Sequence, residues 1–136
     1  MDDISVLIVD QSIAHSGILT NLGLVIGLTA GRLLPEQTFG PDLTDGDGRE
    51  HRYLTSVVHV VRKAGQNKLR DLRAYFEGQP GVILIDYTDD AAVSSYDDYT
   101  HSLTGHSGEA IKYRALYLYG PRDLIYPKTK NLSALA

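Results

Sequence analysis

An apolar strand-like run, a break, then a helix-like stretch: this pattern recurs four times along the chain and constrains its fold more than any other feature. The runs cover residues 4–9, 53–61, 82–87 and 115–119. Strands alternating with helices bury their apolar faces as a layered α/β domain. The first run is apolar except for Ser5, as expected of a strand covered on both faces. A helix is predicted over 13–30, closed by Gly31, Arg32 and Pro35. A second is predicted over 66–77, with Leu69, Leu72, Tyr75 and Phe76 at helical spacing and charged residues on its wet side. A third is predicted to start at Asp89 or Asp90 as cap and to run to about Leu103. The last strand reaches back to Tyr113, and Gly120-Pro121 turns it into a short final helix. Between 38 and 52, Asp45-Gly46 and Asp47-Gly48 mark a loop or hairpin.

A chain of 136 residues has the size of one domain, so 1–136 is expected to fold as a single unit. The absence of cysteine excludes thiol nucleophiles, disulfides and thiolate metal sites, and it fits a cytoplasmic location. A net charge of −4 offers no global attraction to phosphate backbones and argues against a nucleic-acid partner. The acidic start, Asp2-Asp3, lacks the basic region of a secretory signal. Residues 11–31 carry no charge, and Gly23, Gly27 and Gly31 recur at the small-residue spacing of paired membrane helices. The densest apolar part, 18–30, falls short of a span of roughly 20 residues. It is therefore read as a buried helix, outside any membrane, whose glycines allow close approach to a sheet or another helix. Because it is apolar nearly all round, part of it is expected to meet a second copy of the chain in a homodimer.

Specific catalytic motifs are sparse. There is no Gly-x-Ser-x-Gly elbow and no glycine-rich nucleotide loop after a strand. His101 and His106, with Asp97 and Asp98 upstream, match no ligand spacing, so no metal is expected. Asp42, Asp45 and Asp47 with Glu50 fall short of a calcium loop, and turn chemistry accounts for them. No cofactor is expected. His106 follows Gly105 in a loop between the third helix and the last strand, where an imidazole can serve as acid or base. Alternation puts Tyr113, Tyr117 and Tyr119 on one face of the last strand, a core or subunit contact, with Lys112 and Arg114 on the other.

The first strand and helix, the Asp-rich turn, the strand–helix–strand centre, Thr104-Gly105-His106 and the closing Leu118-Tyr119-Gly120-Pro121-Arg122 resemble an uncharacterised bacterial family. That family is labelled a domain of unknown function and sits in the peptidyl-tRNA hydrolase type II-like fold group. The resemblance implies a three-layer α/β/α domain with a four-stranded mixed sheet, commonly a homodimer. In the hydrolases proper, the first helix carries a lysine, three small or apolar residues, then a glutamine. Asn21-Leu22-Gly23-Leu24-Val25 stands on that stretch here, so Asn21 replaces the lysine and Val25 the glutamine. The first lysine of the chain is Lys63, and a neutral amide cannot supply charge to an anionic substrate. Asp86 or Asp89 matches the family's acidic residue after the third strand.

The expected function is therefore a non-hydrolase binding or accessory role toward a small ligand or protein partner. The alternative is an enzyme with altered chemistry in the same cleft, with His106, Asn21 and Asp86 as its catalytic set and His15 and Thr104 as ligand contacts, or residual hydrolysis of peptidyl-tRNA or a related ester.

Overall fold

The computed structural model describes residues 2–93 and 95–135. In chain order the elements are β1 (Asp3–Asp10), α1 (Ser16–Leu33), β2 (Leu43–Thr44), β3 (Glu50–His51), β4 (Val58–Ala64), α2 (Gln66–Phe76), β5 (Ile83–Thr88), α3 (Tyr96–Thr104), β6 (Tyr113–Pro121), α4 (Arg122–Thr129) and β7 (Ser133–Ala134). A 3₁₀ turn over Asp89–Ala91 separates β5 from α3. The main sheet runs β5-β6-β1-β4-β7, with β2 and β3 as a separate hairpin. β1 is central, parallel to β4 and antiparallel to β6.

The sheet thus has five strands, not the expected four. The addition is β7, two residues pairing Lys63 with Ser133 and Arg62 with Ala134 along the β4 edge. So short a strand has no alternation to read in sequence.

Alternation along β1 feeds two cores. Ile4, Val6 and Ile8 pack with Leu69, Leu72, Phe76, Leu116, Leu118 and Ile125 beneath α2 and α4. Val9 packs on the other face with Ile26, Ala30, Ala115, Tyr117 and Tyr119 beneath α1. Helices therefore cover both faces of the sheet, as the strand–helix rhythm predicts. Burying one such aliphatic or aromatic side chain stabilises the fold by about 1.5–3 kcal/mol.

α1 is long and apolar enough, by length and composition, to cross a membrane. Here it lies on the sheet through Leu22, Ile26 and Ala30, its buried residues. Leu24 and Leu28 point outward, 59% and 70% exposed, so the helix is half solvent-facing where a core helix was expected. Its boundaries shift by one turn. His15 caps the start by accepting from the Ile18 amide, and the helix runs past Gly31 to Leu33. Pro35 sets the end, because a residue preceding proline avoids helical angles.

The other boundaries move for equally local reasons. The run at 53–61 becomes strand only from Val58, which pairs with Ile4 near the start of β1. Residues 52–57 form a connection, tied to Phe39 through Thr55. α3 starts at Tyr96 under a Ser95 cap, because the 3₁₀ turn uses up the two aspartates first. In the β2–β3 hairpin the Asp45 carboxylate accepts from the Asp47 and Arg49 amides and contacts His51, so turn chemistry does account for that aspartate.

Candidate functional site

The site begins with a register shift. Tyr87 on β5 faces Ala115 on β6, but the next residue, Thr88, faces Tyr113, leaving Arg114 as the extra residue. A bulge of this kind re-aims the side chains around it. Tyr113 turns toward the α2 side, joining Leu116 and Leu118 in that core. The expected row of Tyr113, Tyr117 and Tyr119 is thereby broken, because strict alternation does not survive a bulge. Arg114 in turn is carried to the α1 side.

There its Nε donates to Asp89 Oδ1 at 2.7 Å, with 28% of the arginine side chain exposed. Asp89 is itself positioned by its amide, which bonds the Lys112 carbonyl. Arg114 helps line a hollow of about 490 Å³ between α1 and the 3₁₀ turn, with His15, Asn21, Val25, Tyr87 and Val93. A second hollow of about 470 Å³ adjoins it, sharing Val25, Tyr87, Ala91 and Val93 and extending to Tyr96 and Tyr99. Both lie in the size range of small-molecule sites. Together they form a trough with a cationic end and an aromatic end.

Of the residues predicted from sequence, Asn21 and His15 meet in the first hollow. Asp86 borders the second, but its carboxylate accepts from Arg73 of α2 at 2.7 Å. That contact holds the Arg73 pKa above its ordinary value. Among the described residues no acidic side chain lines the first hollow, and Asp89 is linked to it only through its bond with Arg114. His106 turns to Asp90, with Nδ1 2.7 Å from Oδ1, and is absent from the residues lining either hollow. Asp90 is 5% exposed and also accepts from the Ser102 hydroxyl. Ser102 first, then His106, keep this carboxylate's pKa below its usual range despite burial. Thr104 spends its hydroxyl on the Thr100 carbonyl at the end of α3.

The expected set of His106, Asn21 and Asp86 is thus not assembled around one hollow. His106 and Ser102 instead fasten the 3₁₀ turn that carries Asp89. Strict alternation sets Arg114 with Lys112 on the face opposite the tyrosines and gives it no place in the site. Its visible signal was a charged residue inside an otherwise apolar strand, but where it points depends on the bulge. Among the described residues no three His, Asp or Glu side chains gather as a metal site.

The profile of a family described as a protein of unknown function, DUF2000, matches residues 5–136. The chain belongs to this family. Its fold is shared by a protein of unknown function from Agrobacterium tumefaciens, at a TM-score of 0.82 and 17% identity, over 100% of this chain and 99% of that one. No curated protein matches the chain. At that identity the structural likeness speaks for the fold alone, so function has to be argued from the trough.

Proposed function

We propose that this DUF2000 chain binds a small organic anion in the trough. The carboxylate or phosphate faces Arg114 and Asn21, and the apolar body lies along Val25, Tyr87 and Val93 toward Tyr99. One observation carries the reading. Among the described residues Arg114 is held through Nε alone, which leaves its terminal nitrogens in the fork geometry that suits an oxyanion. The Asn21 amide, with no hydrogen bond to a described residue, adds donors without charge. Calorimetric titration with small aryl carboxylates and phosphate monoesters tests this. Arg114→Ala should weaken binding by about 10- to 100-fold, the loss of a charged hydrogen bond. Arg114→Lys should recover only part, because the fork is gone. Undiminished binding by Arg114→Ala would contradict the reading.

The same guanidinium favours a second reading. The sequence argument against hydrolysis rested on a neutral Asn21 where a lysine was required. Arg114 brings a cation to that hollow from another strand, with Asp89 of the 3₁₀ turn as its bonded acidic partner. Ester hydrolysis on an anionic substrate such as peptidyl-tRNA is the activity this would serve. A release assay separates the two readings: turnover abolished in Arg114→Ala supports hydrolysis, and binding without turnover supports the accessory role. Assignment to the peptidyl-tRNA hydrolase type II-like fold group is part of this reading, supported by the α/β/α layering and the central β1. A homodimer, joined through the outward Leu24 and Leu28 of α1, is the form we propose for the binding-competent protein.

A further inference from the structure

On the α2 side of the sheet, away from the trough, α2 and the turn Gly108–Ala110 that follows α3 border a hollow of about 240 Å³. Arg70 and Arg73 line it from α2, Glu109 from the turn and Tyr113 from the start of β6. The two arginines differ in what holds them. Arg73 is satisfied: its Nε donates to Asp86 at 2.7 Å, and its Nη1 lies 3.3 Å from Glu77 Oε1. Arg70 has no carboxylate partner among the described residues. Its Nη2 donates to the Ile111 carbonyl at 3.3 Å and its Nη1 to the Asn67 side chain at 3.5 Å, both long. Its Nε is buried with no partner at all. A cation drawn partly out of water without a counter-charge is costly, and folded chains pair such groups. Here the chain itself leaves the counter-charge out.

Two further groups in the hollow are unspent. Tyr113 is 9% exposed, and its backbone is tied to the Gln66 side chain, but its hydroxyl has no hydrogen-bond partner among the described residues. A buried tyrosine ordinarily finds a partner for its O–H. Asp86 first, then Glu77 and last Tyr113 raise the Arg73 pKa, so the phenol lies within electrostatic reach of that guanidinium at the wall of the hollow. Glu109 is exposed and forms no ion pair with Arg70 or Arg73. Its carboxylate and the Arg70 guanidinium are opposite charges in one hollow that do not reach each other. A lone anion would be repelled by Glu109 and a lone cation by Arg70. A molecule carrying both charges finds a partner for each. Drug-sized ligands occupy about 300 Å³ or more, so this hollow suits a smaller one. Ala74 and Ile111 give it apolar wall.

We propose that this hollow is a second binding site, separate from the anion trough, for a free aliphatic α-amino acid. Its carboxylate accepts from Arg70 and the Tyr113 hydroxyl, its ammonium faces Glu109, and its side chain lies on Ala74 and Ile111. The test is a ¹H–¹⁵N chemical-shift titration of the full chain with L-valine and with its two halves, isovalerate, which lacks the ammonium, and isobutylamine, which lacks the carboxylate. Saturable shifts at the Arg70 Nε–H and the Gly108 amide are expected with valine. Each half should bind at least about ten-fold more weakly, the loss of one charged hydrogen bond. Glu109→Gln, at an exposed position that does not endanger the fold, should weaken valine to the level of isovalerate and leave isovalerate no weaker. Tyr113→Phe, which keeps the ring in the core, should weaken valine and isovalerate by about 2- to 10-fold, the range of a neutral hydrogen bond, and leave isobutylamine unchanged. Arg114→Ala should change none of the three. Absence of saturation with valine, either half binding as tightly as valine, or undiminished valine binding in Glu109→Gln would overturn the proposal.

Discussion

Asp90 shows how much one buried carboxylate can organise. It sits at 5% exposure between Ser102 and His106 and anchors the turn whose first residue, Asp89, orients Arg114. Removing its charge should cost about 1.5–3 kcal/mol, the value of hydrogen bonds to an ionised group, as read by urea unfolding of Asp90→Asn near neutral pH. The sign of the pH dependence follows from its lowered pKa. The stabilisation is complete above the unfolded carboxylate value of about 3.9 and is lost as pH falls through the lower folded value. The gap between wild type and Asp90→Asn should therefore narrow in strong acid. His59 acts in a higher window. Burial lowers its pKa, so as pH falls below about 6.5 the unfolded chain takes up the proton first and the fold is weakened. Thermal unfolding should show a smaller drop from about pH 7.5 to about pH 5.5 in His59→Gln than in wild type.

At the level of elements, the glycines separate by what surrounds them. Gly120 on β6 has no room: a Cβ there would lie 2.7 Å from the Gly81 carbonyl oxygen. Gly120→Ala must push two backbones apart and should cost about 1–3 kcal/mol. Gly31 on α1 has open space. Gly31→Ala should stabilise the protein by about 0.5–1 kcal/mol through helix propensity, read as a higher unfolding midpoint. α1 also carries the proposed contact between copies. It holds no acidic residue in its first turn and Arg32 as the basic residue of its last, so facing copies of its Leu24–Leu28 stripe set no like charges against each other. Leu28→Lys should keep the fold, because Leu28 is 70% exposed, and should leave a 14.9 kDa species in light scattering. A wild-type protein that is already monomeric at micromolar concentration would remove the dimer from the account.

Over the whole molecule, what was legible in the sequence is what neighbouring residues decide. The apolar runs of β1, β5 and β6, the amphipathic spacing of α2 and the Asp-Gly turns announce their elements because burial and turn angles act locally. The features that make the site are not local. Arg114 enters the trough because β6 slips by one residue against β5, and nothing between Lys112 and Ala115 advertises that slip. His106 turns to Asp90, sixteen positions earlier, because a 3₁₀ turn displaces the start of α3. Asn21 was found through a resemblance, and the cation missing from its position was supplied by a different strand. The account therefore turns on whether the Arg114 end of the trough receives an anion. The most direct measurement follows the Arg114 Nε–H and Asn21 amide resonances while a small aryl carboxylate is titrated into the full chain. The prediction is a saturable shift of both, with one common dissociation constant, that disappears in Arg114→Ala. Resonances that stay in place while the ligand binds elsewhere, or an Arg114→Ala protein that binds as before, would contradict it.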